Sequence, residues 1–414
     1  NLWLAEMIYH VSDFLTALFL VFLVLGMMRL VFMYVLTFRE KRAENRRNYA
    51  PIDAATAPAV SIIVPGYNEE VNIVRTITTL KQQDYPNLHI YFVDDGSKDH
   101  TLERVREAFD TDDKVTVLAK KNGGKASALN YGIAACRSEY VVCIDADTQL
   151  KQDAVSRLMK HFIADKDKRI GAVAGNVKVG NQRNMLTYWQ AIEYTSSQNF
   201  DRMAYSNINA ITVVPGAIGA FRKEVIEEVG GFTTDTLAED CDLTMSINEH
   251  GYIIENENYA VAMTEAPETL RQFVKQRIRW CFGVMQAFWK HRSSLFSPSK
   301  KGFGLWAMPN MLIFQYIIPT FSPLADVLML IGLFSGNALQ IFFYYLIFLL
   351  IDASVSIMAY IFEGERLWVL LWVIPQRFFY RWIMYYVLFK SYLKAIKGEL
   401  QTWGVLKRTG HVGE

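Results

Sequence analysis

The sequence predicts an α/β domain built on a parallel sheet, held between apolar helical segments at both ends of the chain. Three observations predict it. Between Pro58 and Arg292, short β-rich runs alternate with helical stretches, an order that lays strands parallel and puts helices on both faces. From Phe14 to Phe38 the chain is almost wholly apolar and long enough to cross a bilayer core of about 30 Å. From Phe303 to Lys390 hydrophobicity returns in runs of helical length. At 414 residues, 51% hydrophobic and 21% charged, the chain is neither disordered nor fibrous. With 43 basic against 42 acidic residues, nothing electrostatic favours nucleic acid as a partner. The four cysteines form no CxxC pair, which fits a reduced compartment rather than a stapled or zinc-bound fold.

The first apolar run is interrupted by Arg29, which is placed to snorkel toward the basic flank Arg39-Glu40-Lys41-Arg42 and Arg46-Arg47. That flank is the kind found on the cytoplasmic side of a span. A cleavable signal peptide fits poorly, because the run is too long, the basic cluster follows it and no small-residue cleavage site appears. Anything preceding Asn1 is expected on the far side of the membrane.

In the central region Val60–Pro65, Ile90–Val93, Val115–Leu118 and Tyr140–Ile144 read as buried strands, and Glu69–Gln83, Thr101–Phe109 and Lys125–Cys136 as helices. A sheet of this kind binds its ligand at the carboxyl ends of its strands. Those ends carry Tyr67-Asn68-Glu69, Asp94-Asp95 and Asp145-Ala146-Asp147, so acidic and polar residues gather at one edge. Glu268–Arg292 is amphipathic and strongly basic, as an interfacial membrane helix would be.

The last third holds the runs Phe303–Phe334, Gln340–Phe362 and Leu367–Phe389. Charge puts Lys290-His291-Arg292, Lys300-Lys301, Lys390, Lys394 and Lys397 inside and Glu363-Gly364-Glu365 outside. This requires 303–334, with Pro309, Pro319 and Pro323, to return to its starting face as a short hairpin or to lie in the interface. The organisation expected is 1–57, transmembrane helix and basic flank; 58–267, the α/β domain; 268–302, interfacial helices; and 303–414, transmembrane region and cytosolic tail.

The chemistry follows from the sheet edge. No G-x-G-x-x-G follows the first strand, and Asn122-Gly123-Gly124-Lys125 lacks the spacing of a P-loop. Carboxylates bind a diphosphate through a divalent cation, and hard oxygen ligands suit Mg²⁺ or Mn²⁺. Asp145-Ala146-Asp147 at a strand end, beside Asp94-Asp95 on a neighbouring strand, therefore suits a metal-bridged sugar nucleotide. Alone, such a DxD is most often a solvated acidic pair.

An ordered set, Pro65-Gly66-Tyr67-Asn68-Glu69, Asp94-Asp95-Gly96-Ser97, Gly124-Lys125-Ala126, Asp145-Ala146-Asp147, Ala238-Glu239-Asp240 and Gln276-Arg277-Ile278-Arg279-Trp280, resembles the processive family 2 glycosyltransferases. That family includes cellulose, chitin, hyaluronan and poly-N-acetylglucosamine synthases. Val214-Pro215-Gly216-Ala217 and Pro267-Glu268-Thr269-Leu270 are most similar to the bacterial poly-β-1,6-N-acetylglucosamine type. The resemblance implies a GT-A (Rossmann-like) domain in the cytosol, carried by N- and C-terminal transmembrane and interfacial helices of a multi-pass protein of the inner (plasma) membrane. It places Pro65, Tyr67, Glu69, Asp94 and Asp145 around the nucleotide and Asp147 on the metal, while Lys125 either reaches the diphosphate as a point charge or simply starts a helix. Asp240, with Glu239, is the expected general base; the family's T-E-D reads A-E-D here, with Ala238 in first position. A plainer reading makes Glu239-Asp240 the first turn of a helix over Cys241–His250, and both readings can hold. Gln276, Arg279 and Trp280 are expected at the acceptor end, with Trp280 stacking on a sugar. Trp403-Gly404 is similar to the family's gating segment, against an ordinary basic tail.

The activity implied is an inverting, processive transfer from a UDP-sugar to a growing polysaccharide within a lipid bilayer, with a small accessory membrane subunit left open. In-membrane polar residues, Asp326, Asp352, Gln376, Arg377 and Arg381, would face a sugar-lined passage or pair helix to helix. Two other readings compete. Transfer of one sugar to a lipid phosphate generally goes without the QxxRW motif, which is intact here. A nucleotide-sensing or transporting relative would first lose Asp147, Asp240 or Trp280, all of which are present.

Overall fold

The computed structural model describes residues 2–333 and 338–398. Helix α1 (Leu2–Arg46) has 45 residues, about 68 Å at 1.5 Å per residue. Within it, Ala17–Arg46 is the one segment among the described residues long and apolar enough to cross a membrane.

The central domain begins as expected: β1 (Val60–Gly66), α2 (Ile73–Lys81), β2 (Leu88–Asp94), α3 (Thr101–Phe109), β3 (Val115–Ala119), α4 (Lys125–Ala135) and β4 (Tyr140–Cys143). Helix α2 starts four residues later than its apolar pattern proposes. Asn68 takes a left-handed φ of 56° and the Glu69 N–H is donated to Thr101 Oγ1, so 69–72 form a turn. There follow β5 (Gln149–Leu150), α5 (Ala154–Ala164), β6 (Ile170–Val179), α6 (Met185–Glu193), a π-helix (Tyr194–Asn199), α7 (Phe200–Ser206), β7 (Gly219–Arg222), α8 (Lys223–Glu228), α9 (Glu239–Glu249) and β8 (Ile253–Thr264).

The eight strands form one sheet in the order β3-β2-β1-β4-β7-β6-β8-β5. The expected parallel sheet is only its first half. Strands β3, β2, β1 and β4 are parallel, but β7 runs antiparallel to both β4 and β6. The reversal is local: β7 is four residues long and leaves the loop carrying Gly216, so the chain enters the sheet from the site's edge. One face packs Ile62, Val64, Phe92 and Val142 under α2, α3 and α5, and the other packs Ile63, Val93 and Val141 under α4 and α9. At about 25 cal/mol per Å² of apolar surface, such fully buried side chains contribute roughly 1.5–3 kcal/mol each.

Helix α10 (Leu270–Lys290) starts from a Thr269 cap, whose hydroxyl accepts the Gln272 N–H. The chain then passes through a π-helix (Phe303–Ala307), α11 (Met308–Asn310), a second π-helix (Met311–Ile317) and α12 (Ile318–Leu333). Each wide turn precedes a proline, Pro309 or Pro319, which has no N–H for the carbonyl four residues back and crowds it. No hairpin turn occurs in 303–333, so that expectation is corrected: proline here widens a continuous rod without reversing it. The reversal comes later, in α13 (Ala338–Glu363). Phe22 meets Phe321 and Phe32 meets Trp306, setting α12 antiparallel to α1. Tyr34 bonds Ser354 and Phe38 meets Phe362, setting α13 parallel to it.

The expected outward position of Glu363-Gly364-Glu365 is overturned as well. Lys178 on β6 lies 3.2 Å from Glu363 and also pairs with Glu365, which fixes this turn on the domain's side. Arg29 does not snorkel. It points at the domain, donating to Asp201 Oδ2 at 2.9 Å and Asn310 Oδ1 at 2.8 Å. A 3₁₀ turn (Leu367–Trp372) then leads into α14 (Val373–Lys397), which lies along α10 with Tyr380 against Phe273 and Ser391 bonded to Cys281. Asp326 pairs with Arg381 at 3.1 Å, and Gln376 donates to the Trp189 carbonyl, so these polar residues take the pairing alternative. All four cysteines are free thiols.

The Lys178 pairing makes a clear stability prediction. Lys178→Met leaves two carboxylates facing each other in a half-buried pocket and is expected to cost about 2–3 kcal/mol. The melting temperature of the purified protein should fall, and adding Glu363→Gln should recover part of the loss.

Candidate active site

The parallel half of the sheet brings three loops together at its carboxyl edge. The loop after β1 is stitched to the loop after β2: Ser97 Oγ accepts the Asn68 N–H at 3.0 Å, and Asn68 Oδ1 accepts the Lys98 N–H at 2.8 Å. This holds Tyr67 and Glu69 beyond Pro65, which lies within β1 opposite Val93. Asp94 is buried at the end of β2, where Oδ2 accepts the N–H groups of Gly96 and Ser97, while Oδ1 has no partner in the protein. A buried acceptor without a partner is costly, so Asp94 is poised for a donor supplied by a ligand.

Asp95 has a different job. Its carboxylate takes the N–H of Gly123 and of Gly124 and the Lys120 ammonium, so it shapes the turn into α4. Gly124 sits at φ 87°, which a side chain would strain, and Lys125 starts the helix immediately after it. The strand-end acids thus divide into one that faces the site and one that builds it.

Lys125 then extends into the acidic edge. Its Nζ lies 2.7 Å from Asp145 Oδ1 and 3.0 Å from Glu239 Oε1. Asp240, next on α9, accepts the Gly216 N–H at 3.3 Å on Oδ2 and its neighbour Cys241 N–H at 2.8 Å on Oδ1. Gly216 leaves room for the lysine: a Cβ there would stand 2.6 Å from Lys125 Nζ, which would have to shift, and 3.7 Å from both Asp145 Oδ1 and Asp240 Oδ2. Lys125, Asp145, Glu239, Asp240 and Gly216 are therefore one cluster, drawn from four loops. Burial opposes the Lys125 charge, but Asp145, Glu239 and Asp240 outweigh it and hold the ammonium above the usual lysine range. Burial and the Glu239 carboxylate push Asp240 up to about 6, against Lys125 and the Cys241 N–H.

Helix α10 closes on this cluster from outside. A Cβ at Gly283 would fall 2.6 Å from the Ala238 nitrogen, so the two backbones touch, and the Leu237 N–H is donated to Gln286 Oε1 at 3.0 Å. One turn earlier on the same helix, Trp280 packs against the domain's core and faces Tyr194 with ring centroids 6.3 Å apart. Gln276 is buried, and Arg279 lies on the turn between them. Behind α9, His291 bonds both Asp242 at 2.9 Å and Glu249 at 2.8 Å. Those bonds lift His291 to about 9 against burial, and with Lys290 and Thr233 they hold Asp242 down at about 2. This brace between α9 and α10 was missed from sequence, as were the roles of Asp95 and Gly283. Only fold-level proximity reveals them, although Gly283 inside a helical pattern was a usable signal of close backbone approach.

Asp147 follows β4 and is buried; the Thr76 hydroxyl ties α2 to the carbonyl between it and Asp145. Among the described residues no three His, Cys, Asp or Glu side chains gather as a full cage for a metal. One or two carboxylates with phosphate oxygens are what Mg²⁺ or Mn²⁺ takes when the substrate completes its shell, so the donor set fits such an ion. Trp403 lies outside the described residues.

The mixed α/β sheet with this acidic edge is GT-A-like in architecture. Residues 61–230 match the glycosyl transferase family 2 model. It is 31% identical over 256 residues to the poly-β-1,6-N-acetyl-D-glucosamine synthase of Staphylococcus epidermidis, covering 61% of this chain and 62% of that one. Against the enzyme of the same name from Staphylococcus aureus (strain COL) it is 32% identical over 260 residues, 63% of this chain and 61% of that one. The chain thus spans about three-fifths of the length of these curated relatives. The fold is shared with a mannosyltransferase from Pyrobaculum calidifontis, solved in complex with GDP-Man and Mn²⁺, at a TM-score of 0.59 and 24% identity over 84% of this chain and 95% of that one.

The raised proton affinity of Asp240 is a stability statement. Above pH 6 the folded protein carries a carboxylate that the unfolded chain accommodates more easily, and near pH 5 the folded group is protonated. Asp240→Asn is therefore expected to raise the melting temperature by a few degrees at pH 7.5 and by much less at pH 5, read by thermal denaturation at both values.

Proposed function

We propose that the chain is a membrane-embedded, processive, inverting β-glycosyltransferase. It polymerises UDP-N-acetylglucosamine into an exported polysaccharide of the poly-N-acetylglucosamine type and translocates the product. The observation that carries this reading is the cluster of Lys125, Asp145, Glu239 and Asp240 at the sheet edge, closed by the helix bearing Gln276, Arg279 and Trp280. The names of the staphylococcal relatives supply the sugar and the polymer.

In this reading Tyr67 stacks on uracil, and Glu69 and the free Asp94 Oδ1 accept base or ribose donors. Lys125 turns from the carboxylates to the diphosphate. Asp147 would hold a Mg²⁺ or Mn²⁺ ion, which would supply positive charge to the leaving diphosphate. Asp240 takes the proton of the acceptor hydroxyl as its oxygen bonds to the anomeric carbon and the bond to UDP breaks. A carboxylate near 6 is ionised at neutral pH yet basic enough for that transfer. Trp280 offers the acceptor sugar an aromatic face, with Gln276 and Arg279 beside it. Helix α1 and the pair α12–α13 cross the inner membrane with the domain in the cytoplasm, and α10 and α14 lie at the interface.

The deciding experiment offers UDP-N-acetylglucosamine, UDP-glucose and UDP-glucuronate, singly and paired, to the protein in nanodiscs with Mg²⁺ or Mn²⁺. UDP release and product size are recorded together. Polymer from UDP-N-acetylglucosamine alone is expected; polymer from another donor, or transfer of one sugar only, would replace the reading. Asp240→Asn should abolish polymer, by about 10²–10⁴-fold, with UDP-sugar affinity kept. Lys125→Met removes the cation that stabilises the Asp240 carboxylate, so the acid limb of the pH–rate profile should move to higher pH. Asp147→Ala should weaken UDP binding in Mn²⁺ but match the native chain in EDTA, as titration calorimetry would read.

A further inference from the structure

Asp240 is aimed by the helix that carries it. Its carboxylate accepts hydrogen bonds from two backbone N–H groups, Gly216 at 3.3 Å and Cys241 at 2.8 Å, so its direction follows the roll of α9 about its own axis. Residues two apart on an α-helix lie about 200° around that axis, so Asp242 stands on the side of α9 opposite Asp240. Glu249, further along the same helix, returns to within about 20° of Asp242. His291, the residue after α10, is held between these two carboxylates, with Nε2 2.9 Å from Asp242 Oδ1 and Nδ1 2.8 Å from Glu249 Oε2. Asp242 is 1% exposed and the histidine 5%. The remaining oxygens are occupied: Lys290 at 2.9 Å and the Thr233 hydroxyl donate to Asp242 Oδ2, and Ser294 donates to Glu249 Oε1. Lys290 also lies 3.2 Å from Asp235, Lys300 donates to the Glu249 carbonyl, and the Arg292 guanidinium lies over Trp289.

Two carboxylates on two ring nitrogens fix the charge of the imidazole. A neutral ring has one N–H and one lone pair, so one nitrogen would face a carboxylate with no proton between them; the imidazolium donates to both. Burial opposes the charge, but Asp242 and Glu249 outweigh it and lift His291 to about 9. The brace is therefore whole below that pH and loses a bond as pH rises through it. Earlier on α10, Gly283 brings the backbone against Ala238, the residue just before α9. The two helices are thus joined at two points. The Gly283 contact is backbone against backbone and works as a pivot, whereas His291 grips one face of α9 at two places and resists rotation. Resisting it matters, because a reacting group displaced by about 1 Å can lose about 10²-fold in rate.

We propose that His291 is a positioning residue for Asp240: as an imidazolium between Asp242 and Glu249 it fixes the roll of α9 against α10 and so aims the base at the acceptor. This rests on the transferase reading above. The test uses the full chain in nanodiscs with Mg²⁺ and UDP-N-acetylglucosamine, with kcat and KM followed from about pH 6 to about pH 10 as UDP release. The native kcat should fall as pH rises through about 9, with KM for the donor held. Glu249→Gln lets a neutral imidazole keep both bonds, since the amide can donate to Nδ1 while Nε2–H donates to Asp242. It should keep the neutral-pH kcat and lose the alkaline fall. His291→Phe removes both bonds and should lower kcat about ten- to a hundredfold at every pH, with KM within about twofold. An alkaline fall unchanged in Glu249→Gln, or native kcat in His291→Phe, would overturn the positioning role alone. If His291→Phe does not fold, Glu249→Gln decides by itself. A native chain that binds UDP yet transfers no sugar from any UDP donor would overturn the transferase reading, and this role with it.

Discussion

The Lys125 ammonium, set between Asp145 and Glu239, is the interaction on which the rest of the site depends. The ends of β1, β2 and β4 and the start of α9 bring acids to one edge, and without a cation at the centre their carboxylates would repel. Its position is set from several directions. Asp95 shapes the turn ahead of α4, the left-handed Gly124 aims the helix, and Gly216 leaves the space that the Lys125 ammonium fills. A single buried lysine thus explains why acids that repel can be neighbours.

The same logic of buried charge holds the helical segments to the domain. Arg29 reaches from α1 to Asp201 and Asn310, Lys178 reaches from β6 to Glu363 and Glu365, and Arg277 reaches from α10 to Glu193. Each pair is at least partly removed from water, where breaking one partner is far more costly than at the surface. They lie at three places around the domain, so the helices are fixed in orientation as well as in contact. The order of helices follows: α1 toward the domain, α12 away from it, α13 back, and α14 laid along α10.

Much of this was legible in the sequence, for physical reasons that differ by element. The first four strands show because a parallel strand covered on both faces is a continuous apolar run. The acids at their ends show because the sheet rule says where to look. The two strands that make the other half mixed were hidden, since β7 is four residues long and β5 is two, too short for any period to appear. The side on which Glu363 and Glu365 lie was misread for another reason. Counting charges treats two glutamates between apolar runs as exposed, and it has no access to a lysine almost 190 positions earlier that neutralises them. The prolines of 303–334 left a short hairpin or an interfacial helix open; through 333 their effect is to widen turns without reversing the chain. Lys125 was placed near the diphosphate, and its carboxylate partners could not be seen without the fold.

The dual allegiance of Lys125 has a consequence for the order of events. In the chain without ligand, its charge stabilises the ionised form of Asp240 from a short distance. Under the proposed reading, a donor diphosphate competes with the two carboxylates for that cation. As Lys125 turns toward it, Asp240 loses part of the field that offsets burial and Glu239, and becomes a stronger base with the donor already seated. Under the proposed reading the acceptor hydroxyl meets the stronger base only when there is a sugar to receive its oxygen, and the weaker base at other times. The arrangement needs no moving loop: one ammonium within reach of two anionic partners is sufficient, and Gly216 keeps the space between them open.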